Sequence, residues 1–197
     1  MRYTDVNGKL ADYRRQIAAI REQMRETLAG VEPQPVQDYE FTDTEGKLHL
    51  SDLFGEHEDL IVVHNMGVAC SYCTLWADGY NGIHQHVVTR AGFAVSSPDR
   101  PSVQKRMADM RGWKFPMVSH QGSSFARDMG YVSDKGGWMP GLSVFRRDGD
   151  TILRVSDTGF SPGDDFCVLW HFFDMLPGGV GAWPGVTAAV PSCCSGG

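Results

Sequence analysis

The stretch "DLIVVHNM" (59–66) runs without a break into "GVACSYC" (67–73) and then into a helical pattern. A short, mostly apolar run suits a strand buried on both faces. Cys73, Trp76, Tyr80, Ile83 and Val87 follow at steps of three and four, the spacing of one helix face. Gly79 and Gly82 weaken that helix, each by up to about 1 kcal/mol relative to alanine. A buried strand that feeds a helix belongs in a layered sheet, and the rest of the chain has to supply its neighbours.

It does so in order. "GFAVSS" (92–97) is a second buried strand, and "DRPSVQKRMADMRGW" (99–113) suits a helix with Pro101 in its first turn. "FPMVS" (115–119) is a short strand, and residues 122–138 hold a short helix and a glycine-rich loop. Residues 141–157 form the clearest hairpin, two β-rich runs around Asp148-Gly149. "GDDFCVLWHFFDML" (163–176) reads as a helix, with Asp164 and Asp165 at its positive end. Upstream, residues 36–54 read as two short strands around Thr44-Glu45-Gly46 and then a helical turn. Strands alternating with helices predict a parallel core, and the late hairpin adds an antiparallel edge. That order is what an α/β, thioredoxin-like fold with a central mixed sheet flanked by helices requires.

Three segments follow from the pattern: a helical appendage and linker (1–35), the main domain (36–176) and a Gly/Pro-rich tail (177–197). In the first, Leu10, Tyr13, Ile17, Ile20, Met24 and Leu28 make one apolar stripe over residues 8–29, ended by Gly30 and the linker "VEPQP". The stripe needs a partner, either the main domain or a second copy in a homodimer. The net charge of −6 and the lack of a Lys/Arg cluster argue against a nucleic-acid or membrane surface. The first residues show no signal-peptide pattern, and no run approaches a membrane span, so a soluble, cytoplasmic protein is expected.

Five cysteines in a reducing compartment are not expected to form structural disulfides. The pair Cys70 and Cys73 then reads as a redox couple, half of a metal site, or two small core residues. A helix starting at Cys70 directs free N–H groups and its dipole at that sulfur and favours the thiolate. Cys73, one turn further in, is placed to resolve a mixed disulfide at Cys70. A zinc site wants about four ligands. No second CxxC exists, Cys193 and Cys194 are adjacent, and His84 and His86 point apart on a helix, so no metal and no organic cofactor are expected. Cys167, among apolar residues, reads as a buried inert thiol; Cys193 and Cys194 are a possible electron relay if the tail reaches the main pair. Asp78 reads as a solvated helix residue.

The stretches "DYEFTDTEGKLHLSDLF", "CSYCTLWADGYNG", "VSSPDRPSVQKRMADMRGWKFPMVSHQGSSFARDMG" and "GLSVFRRDG" resemble the bacterial thioredoxin-like family catalogued as domain of unknown function 899. The resemblance runs over about residues 8–176. It implies a thioredoxin fold with a peroxiredoxin-like N-terminal extension and a dithiol–disulfide oxidoreductase. Cys70 would be the nucleophile and Cys73 the resolving thiol. The substrate would be a protein or small-molecule disulfide, and a thiol reductant would recycle the pair. "MPGLSVFRRDG" resembles the thioredoxin segment with a cis-proline facing the cysteines. Pro140 takes that place, Met139 the substrate-binding backbone before it, and Trp76 packs under the site. His64 stands where thioredoxin has a buried carboxylate that helps deprotonate the second thiol, and an imidazole can move the same proton. Departures from the peroxiredoxin pattern bear on two alternatives, a thiol peroxidase and a non-enzymatic binding module. Gly67 replaces the threonine three residues before the peroxidatic cysteine, Val63 and Met66 replace the upstream proline, and Met139-Pro140 replaces the catalytic arginine.

Overall fold

The computed structural model describes residues 2–183 and 185, in two compact units divided between Pro33 and Gln34. Cys193 and Cys194 lie outside the described residues. The first unit is helix α1, Tyr3–Ala29. It starts five residues before the predicted position because Asp5 accepts the Arg2 backbone N–H at 3.0 Å and caps the first turn. Ion pairs Arg15–Asp12 and Arg25–Glu22 run along it, and none of its residues is buried.

The second unit is built on one eight-stranded sheet. Its strands are β1 (Gln34–Val36), β2 (Glu40–Thr42), β3 (Lys47–His49), β4 (Asp59–His64), β5 (Gly92–Ser97), β6 (Met117–Ser119), β7 (Gly141–Asp148) and β8 (Thr151–Gly159). They lie in the order β1-β8-β7-β4-β5-β6-β2-β3. Strands β4, β5 and β6 are parallel, and the β7–β8 hairpin joins β4 antiparallel, as the alternating pattern predicts. The helices are α2 (Ser71–Val87), α3 (Pro101–Arg111), α4 (Phe125–Asp128) and α5 (Val168–Phe173).

Two of these elements differ from the sequence reading. Part of the expected linker is strand β1, paired with β8 at the sheet edge, where Pro35 needs no ladder donor. The helix expected over 163–176 is confined to Val168–Phe173. Asp164 explains the late start. Its carboxylate accepts the N–H groups of Ser161 (3.1 Å) and Phe166 (2.9 Å), folding the segment into a turn.

Strand alternation sorts the core onto two faces. Leu60 and Val62 of β4 pack with Phe41, Phe54, Phe125 and Phe145. Val63 packs with Cys73, Trp76, Tyr80, Phe93 and Trp170. Each large side chain so buried contributes about 1.5–3 kcal/mol. Where β7 begins, Gly141 lets the Tyr131 ring lie directly on the backbone. A Cβ there would overlap the ring and reach Thr158 O. The Tyr131 hydroxyl donates to Leu142 O (2.9 Å) and Thr158 O (3.0 Å), tying the 129–140 loop to the hairpin.

Candidate active site

Cys70 is the N-cap of α2, in extended backbone at φ −89° and ψ 106°. The turn that brings the chain there from β4 is closed by its own groups. Asn65 Oδ1 accepts the Gly67 N–H at 2.8 Å, and the Cys70 N–H donates to Gly67 O at 3.0 Å. Gly67 adopts φ +100°, a conformation glycine enters without a Cβ penalty.

The sulfur of Cys70 accepts the backbone N–H of Cys73 at 3.1 Å. Its thiol pKa is lowered to about 6. The Cys73 side-chain hydrogen bond is the main cause, the backbone N–H groups of Cys73 and Tyr72 add to it, and partial burial opposes it. Cys73 is buried, and its sulfur accepts the Met66 N–H at 3.5 Å. Its own thiol is pushed far up, first by the bond to Cys70 and then by burial. Both thiols are free. The pair is asymmetric: one half-exposed sulfur is ionised at neutral pH, and one shielded sulfur keeps its proton.

The other predicted site residues are distributed unevenly. Pro140 lines a narrow void with Cys73, together with Val63, His64, Asn65, Trp76, Tyr80 and Phe160. No cis peptide bond occurs among the described residues, so the cis-proline expectation is corrected. Hydrogen bonds on either side, from the Met139 N–H to Tyr131 O and from the Phe160 N–H to Pro140 O, each 2.9 Å, hold this stretch extended into β7. The Met139 N–H is therefore engaged within the chain, which leaves its carbonyl as the group the thioredoxin resemblance would offer to substrate. Trp76 is buried, with its Nε1–H donated to Asp164 at 3.3 Å, so it packs beneath the site.

His64 lines the same narrow void as Cys73. Its ring stacks on Tyr131 (3.8 Å between centroids) and Phe125 (5.1 Å). Its Nε2 pairs with Ser143 Oγ at 2.9 Å, and burial holds its pKa well below the usual histidine value. A second buried histidine, His120, pairs with Ser96 Oγ at 2.8 Å, and burial lowers its pKa to about 4. Nothing in the sequence around His120 sets it apart from a surface histidine after a short strand. Asp78, expected in solvent, binds Arg111 and the Trp113 Nε1–H (2.9 Å), joining α2 to the end of α3. Cys167 is buried, and that burial pushes its thiol up. Among the described residues no three His, Cys, Asp or Glu side chains come together to hold a metal, and no helix is long and apolar enough to cross a membrane.

A family model described as "Bacterial protein of unknown function (DUF899)" matches residues 9–188. The chain belongs to this family. The DUF899 match extends twelve residues beyond Leu176, into the tail that the sequence resemblance left out. No curated relative matches the sequence. Among solved structures, a mutant of peroxiredoxin Q from Xanthomonas campestris, with serine in place of one cysteine, is 17% identical with a TM-score of 0.52, over 61% of this chain and 79% of that one. Reduced Prx3 from Vibrio vulnificus in complex with H2O2 is 13% identical with a TM-score of 0.54, over 68% and 90%. Peroxidoxin BcpB from Mycobacterium tuberculosis is 23% identical with a TM-score of 0.53, over 66% and 86%. These likenesses establish the fold of this DUF899 member as the thioredoxin-like α/β fold that peroxiredoxins share.

Proposed function

We propose that the chain is a dithiol–disulfide oxidoreductase in which Cys70 is the nucleophile and Cys73 the resolving thiol. The observation that carries this reading is the Cys70 sulfur held at the start of α2 with the Cys73 N–H 3.1 Å away. The Cys70 thiolate attacks one sulfur of a substrate disulfide, forming a mixed disulfide and expelling the other sulfur as thiolate. That leaving thiolate takes up the proton that Cys73 loses. The Cys73 sulfur then attacks Cys70, breaks the mixed disulfide and releases the second substrate thiol. The substrate gains two electrons, and a Cys70–Cys73 bond remains for an external thiol reductant to open.

A thiol peroxidase is the second reading, favoured by the fold shared with the peroxiredoxins. Here the thiolate would attack a peroxide O–O bond, leaving Cys70 as sulfenic acid and expelling an alkoxide or hydroxide that takes a proton from solvent. Cys73 would then condense with it, losing water and forming the same disulfide. The replacements at Gly67 and at Met139-Pro140 count against it, because they remove the threonine and arginine that resemblance would supply.

One experiment separates the two. The reduced protein is mixed with bis(2-hydroxyethyl) disulfide or with hydrogen peroxide, and Cys70–Cys73 formation is followed by peptide mass. The oxidoreductase reading expects two substrate thiols released per bond formed, and a Cys73→Ser variant that stops at the mixed disulfide. Peroxide oxidation faster by orders of magnitude, with sulfenic acid trapped at Cys70, decides for the peroxidase. No reaction with either leaves the fold as a binding module.

A further inference from the structure

The turn that presents Cys70 is held from outside by one carboxylate. Asp99, half-buried where β5 passes into α3, accepts the Val68 N–H at 2.8 Å. Gly67 packs so closely on it that a Cβ would lie 3.0–3.3 Å from the carboxylate. Asp99 is itself fixed. Its carboxylate accepts the Ser97 hydroxyl and its own N–H donates to Ser97 Oγ, both at 3.3 Å. Gln104, buried on α3, donates to Ser97 Oγ and to Val118 O, each at 2.9 Å. A chain of side chains thus runs from the parallel strands to the turn just before the nucleophile.

Two contacts to the pair depend on that turn. The Met66 N–H that reaches Cys73 Sγ belongs to it, and the Gly67 carbonyl that holds the Cys70 N–H does too. Without the carboxylate, the Val68 N–H has only water, and residues 66–70 lose the side-chain tie that joins them to the end of β5. We propose that Asp99 is a positioning residue for the thiol pair: it pins residues 66–70 so that Cys70 meets the first N–H groups of α2. This rests on the oxidoreductase reading of the pair.

The electrostatics make the test specific. A carboxylate near a thiolate would disfavour it, so removing the charge alone is not expected to raise the cysteine's pKa. Loss of positioning raises it. Timed iodoacetamide labelling of Cys70, read by peptide mass across pH, is compared in the reduced wild type, Asp99→Asn and Asp99→Ala. Asp99→Asn keeps an acceptor for the Val68 N–H and is expected to label with an inflection at or below that of the wild type. Asp99→Ala is expected to shift the inflection up by about one unit or more, a tenfold or greater change in proton affinity.

Gly67→Ala, strained at φ +100° and pressing on the carboxylate, disturbs the same turn and is expected to shift the same way. Asp99→Ser, with a side chain too short to keep the bond to the Val68 N–H, serves if Asp99→Ala does not fold. Amide exchange in a peptide covering residues 66–70 is expected to speed up in Asp99→Ala and stay slow in Asp99→Asn. A wild-type inflection near that of free cysteine, ~8.5, overturns both the oxidoreductase reading and this inference. A wild type that inflects near neutral or lower, with Asp99→Ala and Gly67→Ala unchanged, overturns the positioning role alone. Equal falls in stability for all three variants with no shift in labelling show a merely structural residue and likewise overturn it.

Discussion

Cys73 holds Cys70 twice, through its backbone N–H at 3.1 Å and through its thiol, while its own sulfur takes the Met66 N–H at 3.5 Å. The two sulfurs are therefore not interchangeable, and exchanging their substitutions gives opposite results. Cys73→Ala deletes the largest contribution to the Cys70 shift but leaves the backbone N–H groups. The Cys70 inflection is expected to move from about 6 toward the free-thiol value near ~8.5, by about a unit or more. Cys73→Ser restores a hydroxyl donor and is expected to fall between. Cys70→Ser leaves a Cys73 that is barely labelled at pH 8, since burial still raises it. Labelling of each peptide against pH checks all three variants, and fast labelling of Cys73 in Cys70→Ser would contradict the assignment of roles.

The buried histidines set a pH limit on stability. An unfolded imidazole titrates near 6.5, whereas His120 in the fold titrates at about 4 and His64 is also held well below its usual value. Between those values the unfolded chain binds protons that the folded chain refuses, so stability falls as the pH drops from about 6.5 toward 4. His120 alone accounts for about 1.4 kcal/mol per pH unit in that window, or about 3 kcal/mol in total. The Cys70 shift acts in the same direction at higher pH, fully present above ~8.5 and lost as the pH falls through about 6. Urea midpoints from pH 7 to pH 4 measure the slope, and His120→Gln is expected to flatten it. A flat profile in the wild type would remove the claim that these rings are buried neutral.

Much of this arrangement can be read from residue types, and the misreadings have physical causes. The apolar run before Cys70 and the three-and-four spacing after it identify β4 and α2, because burial on both faces and on one face leave different periods. Pro35 reads as linker because the residue cannot donate to a ladder; only the position of β8 shows that an edge strand makes no such demand. Asp164 has the right charge for a helix start, yet a carboxylate that can bond to two nearby N–H groups makes a turn instead. For His64, six residues before Cys70, the spacing holds but the surroundings of the ring do not follow from it. Its face follows from the alternation of β4, but the groups it meets there, Ser143 and Tyr131, lie 79 and 67 residues away.

Gly141 is where the Tyr131 ring and the start of β7 compete for the same space. Gly141→Ala puts a methyl into the ring and against Thr158 O, and is expected to cost about 1–3 kcal/mol, the usual range for overpacking. Tyr131→Leu in the same chain relieves the ring clash but not the Thr158 clash, and it removes two hydrogen bonds. The double variant is therefore expected to be less destabilised than the sum of the singles. Chemical denaturation of the four proteins gives the coupling. Additive losses would show that the ring does not rest on this backbone.

Trp76 separates support of the site from participation in it. The indole packs against Phe160 at 5.4 Å between centroids and donates to Asp164, while its surface is almost wholly enclosed. Trp76→Phe keeps an aromatic ring and removes the N–H. It is expected to cost about 1–3 kcal/mol, from the lost hydrogen bond and the Asp164 oxygen left with fewer donors, together with the smaller ring. Because neither sulfur bonds to the indole, the Cys70 inflection is expected to stay near about 6 in this variant, and the thiol yield per disulfide to stay at two. Denaturation together with pH-dependent labelling checks both halves. A shifted inflection at unchanged stability would mean that the indole reaches the thiolate, and Trp76 would then have to be counted among the reacting groups.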